Sequence, residues 1–349
     1  MIPDEVNDLL YHETLQQHLC WVSRELTDNQ LIAIDANGRT TMLYKTSAGM
    51  PGKGAMGKNN TLYYEFWNSN LTVNKYALKS PYELGDTARE YLNSTVWDWG
   101  LCFATAADNM AFLSYRSGYK EIWMAPSNEP EKARQLTEFE NFTIRSISIS
   151  PDGKQVVFLC DEKGSSVLYT IQSNGQNLQK ISEAGVKYTT PEWSADGRSI
   201  FYGANTSGMW NIWKKELEDG GGDSMVQKGG YAVLPSPYHA QELFYTSLKL
   251  DTIFRLNLKN GLSEVLLLSE GLEASNWATT QNGIYFIAWK ERKSYLQFYD
   301  FSEKTTTRIS LLHNLLPGIA SLSVDKNGDA VYVAQADELN ADLMSLHVE

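Results

Sequence analysis

The sequence predicts an all-β protein assembled from a repeated four-stranded antiparallel unit, and three observations predict it. Short alternating strands are punctuated by Asp-Gly and Asn-Gly turns, the strongest short-range hairpin signal. The same strand–turn–strand pattern recurs every 41 to 48 residues. Aromatic residues are abundant, with 10 Trp, 19 Tyr and 12 Phe, which suits half-buried pleated surfaces.

Residues 1–28 read as an N-terminal extension. Helical periodicity is confined to Asp4–Gln17, and Cys20-Trp21-Val22 is strand-like. Leu31–Asp35 and Thr40–Lys45 then form a hairpin around Asn37-Gly38. The clearest copy of the repeat is Ile147-Ser148-Ile149-Ser150-Pro151-Asp152-Gly153-Lys154-Gln155-Val156-Val157-Phe158. It returns as Pro191-Glu192-Trp193-Ser194-Ala195-Asp196-Gly197-Arg198-Ser199-Ile200-Phe201-Tyr202. Each copy is followed by a second hairpin, Val167–Ile171 before Asn174-Gly175 and Trp210–Trp213 before Gly220. The aromatic closing the second strand marks the phase at Tyr64, Phe112, Phe158, Tyr202, Tyr245, Phe286 and Tyr332. Four strands of about five residues with their turns need roughly 40–45 residues, which is one blade of a β-propeller.

Counting inner strands gives seven blades; eight is left open because Cys20-Trp21-Val22 could begin a blade of its own, and six is left open as well. The last copy supplies Ala320–Val324, Ala330–Ala334 and Asp342–Val348 and then lacks a strand. An N-terminal strand is expected to complete it and close the ring, removing exposed edges. The expected organisation is therefore residues 1–28 as extension and residues 29–349 as a single propeller.

A net charge of −12 argues against direct nucleic-acid contact, which needs a basic footprint. No apolar run approaches the roughly 18 residues of a membrane span. Met1-Ile2-Pro3-Asp4-Glu5 lacks the basic and apolar regions of a signal peptide, so any targeting or anchoring segment is expected beyond these residues. Cys20, Cys102 and Cys160 show no metal or disulfide spacing.

At Ser150-Pro151-Asp152-Gly153-Lys154 and Trp193-Ser194-Ala195-Asp196-Gly197-Arg198 the sequence resembles TolB-like propeller repeats. Phe112-Leu113-Ser114-Tyr115-Arg116-Ser117-Gly118, Glu121-Ile122-Trp123, Arg134-Gln135-Leu136-Thr137, Gly283–Phe286 and Leu322–Gly328 before Asp342-Leu343-Met344 are similar to one branch. That branch is the periplasmic C-terminal propeller of membrane-anchored winged-helix transcriptional regulators of the ToxR/CadC type. The resemblance spans residues 30 to 349 and implies a periplasmic sensor or protein-interaction domain. Two departures stand out. Tyr238-His239-Ala240-Gln241 and Thr280-Gln281-Asn282-Gly283 replace the Ser-Pro-Asp-Gly turn, and neither a winged helix nor a membrane span is present in these residues.

The residues carry no visible catalytic machinery. The Asp-Gly pairs serve turns, where the carboxylate caps backbone amides and Gly accepts positive φ. No Gly-x-Ser-x-Gly elbow occurs, and the five histidines are scattered. Gly220-Gly221-Gly222 has no Lys-Ser/Thr after it and reads as a turn. The expected function is thus non-catalytic recognition, with no metal and no cofactor. Two expectations follow from the resemblance: the ectodomain of a regulator, or a free-standing TolB-like periplasmic adaptor. A lyase or degenerate peptidase propeller is the alternative from another class. Propellers bind at the central funnel, so the candidate residues stand at the starts of inner strands: Trp97, Asp98, Trp99, Arg145, Tyr188, Glu192, Tyr238 and Asn276, flanked by Ser275 and Trp277. Aromatics beside isolated charges suit a peptide, protein or small polar ligand.

Overall fold

The computed structural model describes residues 6–12, 16–25, 28–46, 50–67, 70–139, 142–162, 165–183, 185–206, 208–218, 222–272, 276–316, 321–337 and 341–348. Among them every regular element is a β-strand except one 3-10 turn, Pro130–Lys132. The chain forms two compact units, one of residues 1–70 with 336–349 and one of residues 71–335.

The first unit holds two antiparallel sheets. One runs in the order β1 (Val6–His12), β2 (Gln17–Glu25), β3 (Asp28–Ile34) and β4 (Thr40–Thr46). Asp35 shapes the β3–β4 turn by accepting from the backbone of Asn37 and Arg39, and Gly38 takes φ of 74° there. The other sheet places β6 (Thr61–Trp67) between β5 (Met50–Met56) and the last strand of the chain, β32 (Ala341–His347). Leu19, Trp21, Leu31, Leu62, Tyr64 and Val348 form the core between them.

The second unit is a ring of six sheets. The chain enters it with β7 (Leu71–Ser80), β8 (Glu83–Leu84) and β9 (Arg89–Leu92). Five blades follow in sequence order. The first is β10 (Asp98–Phe103), β11 (Asn109–Ser114), β12 (Glu121–Pro126) and β13 (Arg134–Gln135). The second is β14 (Phe142–Ile149), β15 (Gln155–Glu162), β16 (Ser165–Gln172) and β17 (Gln179–Lys180). The third is β18 (Lys187–Trp193), β19 (Ser199–Asn205), β20 (Trp210–Glu216) and β21 (Asp223–Lys228). The fourth is β22 (Val233–Pro235), β23 (Glu242–Thr246), β24 (Thr252–Asn257) and β25 (Ser263–Leu268). The fifth is β26 (Trp277–Thr279), β27 (Gly283–Lys290), β28 (Lys293–Asp300) and β29 (Thr306–Leu312).

The sixth blade begins with β30 (Leu322–Val324) and β31 (Ala330–Ala336) and is completed by β7, with β8 and β9 both paired to β7. Tyr76 and Asn74 of β7 hydrogen-bond the Gln335 side chain of β31 at 2.6 and 3.3 Å, fastening the joint. The third strand expected in this blade, Asp342–Val348, instead forms β32 and pairs with β6 of the other unit. Its place is filled by β7, which arrives from the entry side of the ring.

Six apolar seams hold the ring together. The phase-marking aromatics Phe112, Phe158, Tyr202, Tyr245, Phe286 and Tyr332 are all buried in them, between neighbouring blades. Tyr64, the seventh marker, is buried too but stands on β6 of the first unit, so this ring counts six blades where the inner-strand count gave seven. The boundary expected at residue 29 falls inside β3, and the helical periodicity near the start is strand β1. Gly220, Gly221 and Ser275 lie outside the described residues.

The two full repeat motifs fold alike. Ser150 donates to Asp152 at 2.7 Å and accepts from the Gln155 amide at 3.0 Å. Ser194 repeats this with Asp196 and Ser199 at 2.6 and 3.0 Å. Gly153 and Gly197 take φ of 70° and 69°, the left-handed conformation the turn requires.

Candidate functional site: the central channel

Strands β10, β14, β18, β22, β26 and β30 are each the first of their sheet and are paired on one side only. Together they line a channel with a cavity of about 260 Å³. Three of them are irregular where they face it. Register shifts fall between Trp99 and Cys102 in β10, between Ile144 and Ser146 in β14, and between Thr189 and Glu192 in β18. A bulge leaves its extra residue out of the ladder and re-aims it. Of the residues these shifts leave unpaired, Gly100, Leu101, Arg145 and Thr190 line the channel.

The described lining contains two charged side chains, Arg145 and Glu192. The Arg145 guanidinium is held by the Asp161 carboxylate in an ion pair exposed enough for solvent to screen it. Glu192 has no such partner. Its Oε2 accepts from the Ser148 hydroxyl at 2.7 Å. Burial disfavours the anion and pushes this carboxyl up to about 8, against the opposing pull of the Ser148 hydrogen bond. Ser146, two residues before Ser148 on β14, holds a hydroxyl that is buried without a hydrogen-bond partner. Cys102 completes the polar wall from β10. Burial, with the charge of Glu192, drives its thiol up to about 12, so it is a protonated thiol and an inert nucleophile.

The structure brings Trp99, Arg145 and Glu192 together in the channel wall, and Trp277 with them. The other candidates stand elsewhere. Trp97 sits edge-on to Trp99 at 6.2 Å. Asp98 is fully buried and ion-paired to Arg116 at 2.8 Å, a structural lock within the first blade. Tyr188 is buried against Tyr202, and its hydroxyl is tied to the Glu183 backbone. Asn276 is buried behind the wall, its carbonyl accepting from the Ile287 amide at 2.8 Å. Tyr238 is exposed on the β22–β23 connection, outside the lining. Sequence reasoning missed Ser146, Ser148, Thr190 and Cys102. The alternation Ser146-Ile147-Ser148-Ile149 was the legible signal for two of them, because period two places both hydroxyls on one face.

Fold and channel define this second unit as a six-bladed β-propeller with an open axis. The chain belongs to the TolB beta propeller domain family, which matches residues 69–314. Among solved structures, a protein named as TolB from Agrobacterium tumefaciens shares the fold, with a TM-score of 0.61 at 12% identity over 78% of this chain and 100% of that one. TolB from Acinetobacter baumannii aligns with a TM-score of 0.54 at 11% identity over 90% of this chain and 77% of that chain. A curated relative, dipeptidyl-peptidase 5 of Porphyromonas endodontalis, is 27% identical over 106 residues. That stretch is 28% of this chain and only 15% of the peptidase.

Proposed function

We propose that this chain is a non-catalytic binding propeller that takes an extended segment of a protein partner into the channel, as a TolB-like adaptor of the periplasm. The observation that carries this reading is the wall itself. Six inner strands turn their unpaired backbone edges toward one open axis. Such edges, with the half-buried Trp99 among them, offer a peptide main-chain hydrogen bonds and apolar surface. No histidine is among the described lining residues to serve Ser146 or Ser148 as a base, which favours binding over hydrolysis. Nucleic acid is not the direct partner in this reading, and membrane contact comes only through a segment outside these residues.

The test is selection of a random-peptide display library on the chain and on a plugged variant, Leu234→Trp. The reading expects a convergent peptide family that the plugged variant does not bind. Absence of enrichment, or equal binding to the plugged variant, would contradict it.

A finer placement rests on the motifs at residues 112–118 and 322–328: the propeller as ectodomain of a membrane-anchored regulator of the ToxR/CadC type. Coding sequence directly upstream of the Met1 codon decides it. An in-frame apolar span and winged helix support this placement, and a stop codon removes it.

A further inference from the structure

Glu192 is an unusual group to find facing a channel. It faces the channel with a serine hydroxyl beside it rather than a cation. On the adjacent strand the Ser146 hydroxyl is buried without a hydrogen-bond partner, and among the described residues no cation pairs with Glu192. The channel cation already present, Arg145, is committed to Asp161. Nothing in the wall therefore balances a negative charge at this position.

We propose that the channel binds a primary ammonium group of a peptide, an amino terminus or a lysine side chain, against Glu192, with the Ser146 and Ser148 hydroxyls as neighbouring polar contacts. This deepens the peptide-binding reading above and rests on it. An ammonium carries three separately directed donors, which suits single acceptors on two strands. A guanidinium prefers both oxygens of one carboxylate side by side, and here Ser148 already holds Oε2. In the partly desolvated channel the pair attracts more strongly than it would in water.

The proton balance follows from the groups facing Glu192. Cys102 from β10 stays protonated and Arg145 from β14 stays charged, while the described lining residues of β22, β26 and β30 include no titratable side chain. A neutral Glu192 carboxyl meeting a lysine ammonium becomes a carboxylate paired with that ammonium, and its proton passes to the buffer. With a carboxyl near 8, binding at pH 7 releases about 0.9 proton per lysine peptide bound.

The experiment is calorimetric titration of the full chain at pH 7 in phosphate and in MOPS, whose ionisation enthalpies differ and neither of which is a primary amine. Four probes are used: Gly-Gly-Gly-amide, its N-acetyl twin, acetyl-Gly-Lys-Gly-amide and its Nε-acetyl twin. We expect at least one free amine to bind at least tenfold tighter than its acetylated twin, the first pair reporting an amino-terminal source and the second a lysine. Glu192→Gln is expected to lose that tenfold advantage and the buffer-dependent heat. Equal binding of acetylated and free probes to the unaltered chain overturns the ammonium inference while leaving the peptide-binding reading intact. No binding by any probe overturns it as well, and the library selection then judges the broader reading separately.

Discussion

Replacing Glu192 by Gln removes one proton site from the channel, and its effect on stability can be worked out from the structure. Burial raises this carboxyl from the ordinary 4.5 to about 8. Each pH unit of such a shift corresponds to about 1.4 kcal/mol, so ionising Glu192 in the folded state costs up to about 5 kcal/mol. Water in the channel screens part of this, leaving about 3 kcal/mol as the working figure. For an acid with a raised folded-state value, the contribution is fully present below pH 4.5 and is lost as pH rises through 8. The amide of Glu192→Gln can still accept from Ser148 and cannot ionise. Its unfolding free energy should match the parent near pH 4.5 and exceed it progressively, by about 3 kcal/mol at pH 9. Urea titrations followed by tryptophan fluorescence at half-unit steps from pH 4.5 to 9 measure this. Parallel pH profiles for the two proteins would refute the assignment of a carboxyl that desolvation keeps protonated.

Three further outcomes follow from the same geometry. Arg116→Ala leaves the buried Asp98 carboxylate without its ion-pair partner, which should cost about 3 kcal/mol, and the double variant with Asp98→Ala should cost less than the sum of the two single changes by denaturant titration. Gly283→Ala forces a methyl group onto the Tyr299 carbonyl and the Phe298 ring, so it should lower the melting temperature sharply or abolish soluble expression. Thiol titration of the folded chain at pH 8 with a disulfide reagent should show Cys102 and Cys160 reacting at least a hundredfold more slowly than after denaturation, since burial holds both thiols up to about 12.

The repeat was legible in the sequence because its signals are local. Ser150-Pro151-Asp152-Gly153 fixes a turn through its own side chains, and Phe158 or Tyr202 fills a seam by strand alternation alone. What joined distant parts of the chain was not. The place beside β31 was open to any strand of suitable length, and nothing in Leu71–Ser80 marks it as the one that takes it. Likewise Asp342–Val348 reads as a plain alternating strand whether it continues the last blade or pairs with β6. The channel was half legible for a related reason. Inner-strand positions can be counted, which located Trp99, Arg145 and Glu192. The bulges that aim Arg145 and Thr190 inward are register events between strands, and they leave no local signature in residue type.

The most direct test of the binding account is a 1H–15N spectrum of the tryptophan indoles, recorded while a library-selected peptide is added to the full chain. Trp99, Trp193 and Trp277 line the channel, whereas Trp210 and Trp289 of the same ring stand outside its lining, Trp210 against Tyr231 and Trp289 against another seam. The account predicts that the first three resonances move together and saturably while the last two stay in place. Saturable movement confined to Trp210 or Trp289, with the channel indoles unmoved, would contradict it.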